Sequence, residues 1–105
     1  MSAYLIANVD VKDAERIQEY LKATPAIIKQ YGGKFLARGG DFEICEGNWN
    51  PERLVLVEFE SMQKAKQFYN SPEYKAIIDL RHSSAYTEWV FLDGLSVEMS
   101  DTFNH

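Results

Sequence analysis

Cysteine is nearly absent from this sequence: Cys45 stands alone among 105 residues. No intrachain disulfide can form, and a thiolate metal cluster is excluded. Histidine is almost as scarce, and His82 and His105 are too far apart to give a metal-ligand spacing. Neither a metal nor an organic cofactor is therefore expected. Positive charge is also short. Eleven Lys and Arg face sixteen Asp and Glu, for a net charge of −5, and no two basic residues are adjacent. Nucleic acid needs clustered cations to displace its counterions, so it is excluded as a partner. An anionic membrane surface is excluded on the same ground. No apolar stretch approaches the roughly 20 residues that span a bilayer. Met1-Ser2-Ala3-Tyr4 does not open a secretory signal. These absences together point to the cytosol.

What is present fits one globular domain. Hydrophobic residues make up 46% and aromatics 13%, too apolar for a disordered chain. The pattern ends near residue 95, so residues 1–95 form the domain and 96–105 a polar tail.

Ala3 to Val9 is apolar except for Asn8 and reads as a strand buried on both faces. Asp10 then stands where a helix N-cap would, with Asp13 three residues on. Ile17, Leu21, Thr24, Ile28 and Tyr31 recur at helical steps. Pro25 interrupts them, so the helix either kinks there or restarts on a Thr24 cap. Gly32-Gly33 ends it. Lys34 to Arg38 is the second strand, Gly39-Gly40-Asp41 a turn or bulge, and Gly47 to Pro51 a loop. Arg53 to Glu60 is the third strand. Ser61 caps a short helix, and Ser71-Pro72-Glu73 starts another that carries Tyr74, Ile77, Ile78 and Arg81. Ala85 to Leu92 is the last strand.

Two such β-α-β halves give an α+β, ferredoxin-like βαββαβ fold. Its four-stranded antiparallel sheet is expected in the order 4-1-3-2, with the helices on one face. A monomer would then alternate polar and apolar residues along each strand. Tyr4-Leu5-Ile6-Ala7, Leu54-Val55-Leu56-Val57 and Trp89-Val90-Phe91-Leu92 do not. Exposing so many large side chains is costly at about 1.5–3 kcal/mol each. A homodimer packed sheet against sheet resolves the conflict. The competing solution folds the 42–51 loop or the tail over the open face.

The stretches Gly32 to Gly40 and Glu46 to Val55, with Ser71 to Lys75 and Leu80-Arg81, resemble the bacterial family called domain of unknown function 1330. The likeness runs from about Tyr4 to Gly94. It implies the dimeric α/β-barrel superfamily, with any ligand cavity inside each protomer between sheet and helices. That superfamily includes cofactor-free oxygenases and isomerases, whereas the family itself implies no catalytic residue.

Four places carry candidate chemistry. Arg38, beside Gly39 and Gly40, either pairs with a ligand carboxylate or enolate or forms a salt bridge to Glu46 or Glu58. His82 is either a general base or an exposed residue at a helix C-terminus. Trp49, Tyr69 and Tyr74 either line a cavity entrance or hold an aromatic substrate, or else Trp49 simply packs its long loop down. Glu58 is either a proton acceptor or the solvated end of its strand. Three functions compete on these residues: a cofactor-free acid–base enzyme for a small anionic or aromatic molecule, a small-molecule binder or sensor, and a structural dimerisation module.

Overall fold

The computed structural model describes residues 2–95. The elements follow the order β1 (Ala3–Val11), α1 (Ile17–Gln30), β2 (Lys34–Arg38), β3 (Leu54–Phe59), α2 (Met62–Tyr69), α3 (Pro72–Lys75), α4 (Ile78–His82) and β4 (Ala85–Asp93). The strands form one antiparallel sheet in the order β2-β3-β1-β4, the expected 4-1-3-2 order viewed from the other edge. The sheet is open, so any barrel requires a second copy. The expected polar tail, 96–105, lies outside the described residues.

Two local expectations are corrected. Asp10 does not cap α1: it lies in β1 opposite Tyr86, because the long β4 holds β1 in register as far as Val11. No side chain caps α1 at its N-cap, Arg16; Asp13 Oδ1 instead accepts from the Arg16 amide at 2.9 Å and closes the turn that leads into the helix. The helix expected after Ser71 is broken into α3 and α4, joined by i→i+3 turns at Ile77 and Leu80. Its start is as expected: Pro72 occupies the first turn, and the Ser71 hydroxyl accepts from the Tyr74 amide at 3.1 Å. Pro25 neither ends α1 nor restarts it on a cap, since one helix runs through it and Thr24 Oγ1 donates back to the Tyr20 carbonyl. Gly32, at φ +78, makes the left-handed exit, and the Gly33 amide closes on the Ile28 carbonyl at 2.8 Å.

The core lies between the helices and one sheet face. Leu5 and Ala7 of β1 and Val57 and Phe59 of β3 pack against Ile17, Tyr20 and Ile28 of α1, with Phe68 and Tyr74 beyond. The other face carries Tyr4, Ile6, Leu54, Leu56, Val90 and Leu92, and no helix of the described residues covers it. Val90 and Leu92 are 55% and 53% exposed. Among the described residues no helix is long and apolar enough to cross a membrane.

Candidate functional site

Strand register builds the site. Arg38 stands opposite Val55, Val55 opposite Ala7, and Ala7 opposite Trp89, one row across all four strands on the helix side. Arg38 reaches that side only because β2 is bulged between Phe35 and Ala37. Phe35 faces the helices opposite Val57, and strict alternation would turn residue 38, three positions later, to the opposite face. The extra residue restores it. The bulge is thus the device that aims the guanidinium inward.

Above the row runs α1, and a cavity of about 40 Å³ remains between them. That volume holds a few waters, at about 10–15 Å³ each. Leu5, Val55 and Val57 form its floor, Leu21, Thr24 and Ile28 its roof, and Arg38, Arg53 and Trp89 its polar margins.

Arg38 spans the gap between β2 and α1, where its Nη2 donates to the Leu21 carbonyl at 3.0 Å. A helix normally satisfies that carbonyl with the amide four residues on. Here that residue is Pro25, which has none. The same guanidinium lies 4.8 Å over the Phe35 ring. Arg53 is its neighbour, seated against Gly39, whose φ of +72 and lack of a Cβ leave room for the Arg53 side chain. Burial, then the nearby Arg53 charge, lower the Arg38 pKa. Among the described residues neither arginine has a carboxylate within 4 Å, the one ion pair there being Lys12–Asp10. The expected alternative, a salt bridge from Arg38 to Glu46 or Glu58, is therefore absent.

A buried polar chain adjoins the cavity. Tyr20 of α1 and Tyr74 of α3 share a 2.6 Å hydroxyl–hydroxyl hydrogen bond, and Arg81 Nε donates to Tyr74 at 3.1 Å. Arg81 is 2% exposed, donates through Nη1 to Thr87 and lies 4.4 Å over the Trp89 ring. Burial first, and their mutual contact second for Tyr74, raise the pKa of Tyr74; burial likewise raises that of Tyr20. Both hydroxyls therefore stay protonated across the neutral range.

The expected site residues are only partly brought together. Arg38 lines the cavity and Gly39 packs against Arg53, which also lines it, while a side chain at Gly40 would meet open space. Tyr74 is fully buried and Tyr69 packs with it, Trp89 and Phe91 in an aromatic cluster, so these rings belong to the core rather than to an entrance. Trp49 lies on the opposite sheet face, near Ile6 and Val90. Glu58 also faces that side, opposite Tyr4, and accepts from Ser2 Oγ at 2.9 Å. His82 is exposed at the end of α4, its Nε2 3.5 Å from Arg81 Nη2.

Arg53, Tyr20, Arg81 and Trp89 were not legible as site residues. Each read as strand or helix filler. The available signal was the strand pairing of Arg38 with the beginning of β3, which brings a second arginine beside the first. Among the described residues, no group of three or more His, Cys, Asp or Glu side chains could hold a metal ion.

The comparisons agree with this architecture. A family model described as "Domain of unknown function (DUF1330)" matches residues 2–95. No curated protein matches the chain. A protein of unknown function from Rhodopseudomonas palustris is similar in structure at 15% identity and a TM-score of 0.74, over 90% of this chain and 83% of that one. SnoaB, a cofactor-independent oxygenase from Streptomyces nogalater, is similar at 11% identity and 0.63, over 91% and 95%. A dimeric ferredoxin-like protein of unknown function from Thermobifida fusca is similar at 14% identity and 0.62, over 90% and 92%. At these identities the likeness is one of fold.

Proposed function

The chain belongs to the DUF1330 family, and from that footing we propose that it binds a small apolar anion in the cavity between α1 and the sheet. One observation carries this reading. Two arginines stand together at the margin of an otherwise apolar cavity, and neither has a carboxylate partner among the described residues. Like charges placed together in a partly buried site repel until an anion arrives. A carboxylate, enolate or phenolate supplies that charge, and a planar guanidinium matches its two oxygens.

The ligand's size follows from the volume. About 40 Å³ admits only the smallest acid while Arg38 stays on Leu21. A larger one enters as that long side chain swings away, so Arg38 both closes the cavity and meets the ligand. The lining contains no carboxylate or imidazole. The site therefore suits holding an anion rather than abstracting a proton, and neither Glu58 nor His82 has a role in it.

The same proposal makes the working unit a homodimer, joined through the sheet face that no helix of the described residues covers. That face presents Tyr4, Ile6, Leu56, Val90 and Leu92, with the exposed Trp49 beside Ile6 and Val90, and one structural neighbour is described as dimeric. A second copy, sheet against sheet, gives that face an apolar partner.

Thermal unfolding with a panel of short aliphatic and aromatic acids, each beside its neutral amide, tests the reading. At tenfold excess over Kd an acid adds about 1.4 kcal/mol, or roughly 5–10 °C in a domain of this size. The amides, and the acids on Arg53→Met, leave the transition unmoved. Equal effects of acid and amide would remove the proposal.

A further inference from the structure

Trp89 Nε1 is buried and has no hydrogen-bond partner among the described residues. Native interiors leave few such groups, because a buried donor without an acceptor forfeits its hydration for nothing. Trp89 also lines the cavity and ends the row that Arg38 begins. Resting on the anion reading above, we propose that the Trp89 indole N–H is a second ligand donor, and that the site selects an apolar acid bearing a separate acceptor oxygen, such as an oxo acid.

The geometry sets the ligand's layout. Arg38 lies on β2 at one sheet edge and Trp89 on β4 at the other. Three strand spacings, about 14 Å between backbones, separate them, and both side chains reach inward from there. Val55 and Ala7 lie between, so the middle of the floor is apolar and, at Ala7, low. An acid group fits the arginine end, a short hydrocarbon body the floor, and a carbonyl oxygen the indole end.

The indole is prepared for that task. The Arg81 guanidinium over its face draws electron density from the ring, which strengthens the N–H as a donor. Tyr69, Tyr74 and Phe91, with ring centroids within 6.2 Å, hold the ring in place. Arg81 is engaged at Nε and Nη1 by Tyr74 and Thr87 and does not line the cavity, so it acts on the ligand through Trp89.

The test compares 4-oxopentanoate with pentanoate, which share an acid and a chain and differ at one carbonyl. In ¹H–¹⁵N spectra of the full chain, the Trp89 Nε1–H resonance moves downfield with 4-oxopentanoate and far less with pentanoate. The exposed Trp49 serves as internal reference, and Trp49→Phe assigns the pair. Affinity for the oxo acid exceeds that for pentanoate by roughly three- to tenfold, the worth of one neutral hydrogen bond, and Trp89→Phe erases the difference. If both acids bind with Arg53 dependence while the Trp89 resonance stays still, the second-donor role is overturned and the anion reading stands. If neither acid binds, both fall. Should Trp89→Phe fail to fold, the wild-type resonance decides alone.

Discussion

Arg38 Nη2 lies 3.0 Å from the Leu21 carbonyl, which Pro25 leaves without its helical donor. A sequence feature that looks like a helix defect is thus the landing point of the cavity's principal cation. The strand supplies the hydrogen bond that the helix cannot.

The two sites should therefore be energetically coupled. Arg38→Ala destabilises the fold by about 1 kcal/mol, the net value of one such bond. In a Pro25→Ala background, the restored amide satisfies Leu21 and the same change costs close to nothing. A double-mutant cycle by chemical denaturation measures this. Additive costs would mean that Arg38 does not serve the orphaned carbonyl.

The Tyr20–Tyr74 pair predicts a loss of stability in alkali. Both pKa values are raised in the folded state, Tyr74 above all by burial. Their contribution is full below the unfolded tyrosine pKa of about 10 and is lost as pH climbs from there towards the folded values. Of the six tyrosines, these two should ionise only with unfolding, visible in tyrosinate absorbance. Tyr74→Phe removes the acceptor of Arg81 Nε and costs about 1–3 kcal/mol at neutral pH. Smooth titration of all six tyrosines before the unfolding transition would contradict the account.

The uncovered sheet face predicts a dimer that a single charge disrupts. Light scattering should return twice the mass of one chain. Val90→Glu, 55% exposed in the single chain, should return one chain's mass with its fold intact by circular dichroism. A monomeric wild type at micromolar concentration would assign that face another use.

The fold was largely legible because its determinants are local. Ser61 and Ser71 as caps, Gly32 at a helix exit and apolar strand runs each act within a few residues. At Asp10 tertiary pairing with β4 overrode a good local capping signal. Of the candidate site, Arg38 and Gly39 were legible as a strand-end arginine beside a turn. The rest was not. Whether Arg38 and Glu58 share a face depends on the Phe35–Ala37 bulge, which a 3.6- or 2-residue period does not encode. Arg53 and Trp89 reach the cavity through strand pairings 15 and 51 residues from Arg38, and only the assembled sheet reveals them.

Isothermal titration of pentanoate and pentanamide against wild type, Arg53→Met and Arg38→Met tests the central claim most directly. The anion site predicts that pentanoate binds wild type at least tenfold more tightly than the amide, or about 1.4 kcal/mol. It predicts that either substitution removes most of that margin. Equal affinity for acid and amide, or an acid preference that survives both substitutions, would contradict it.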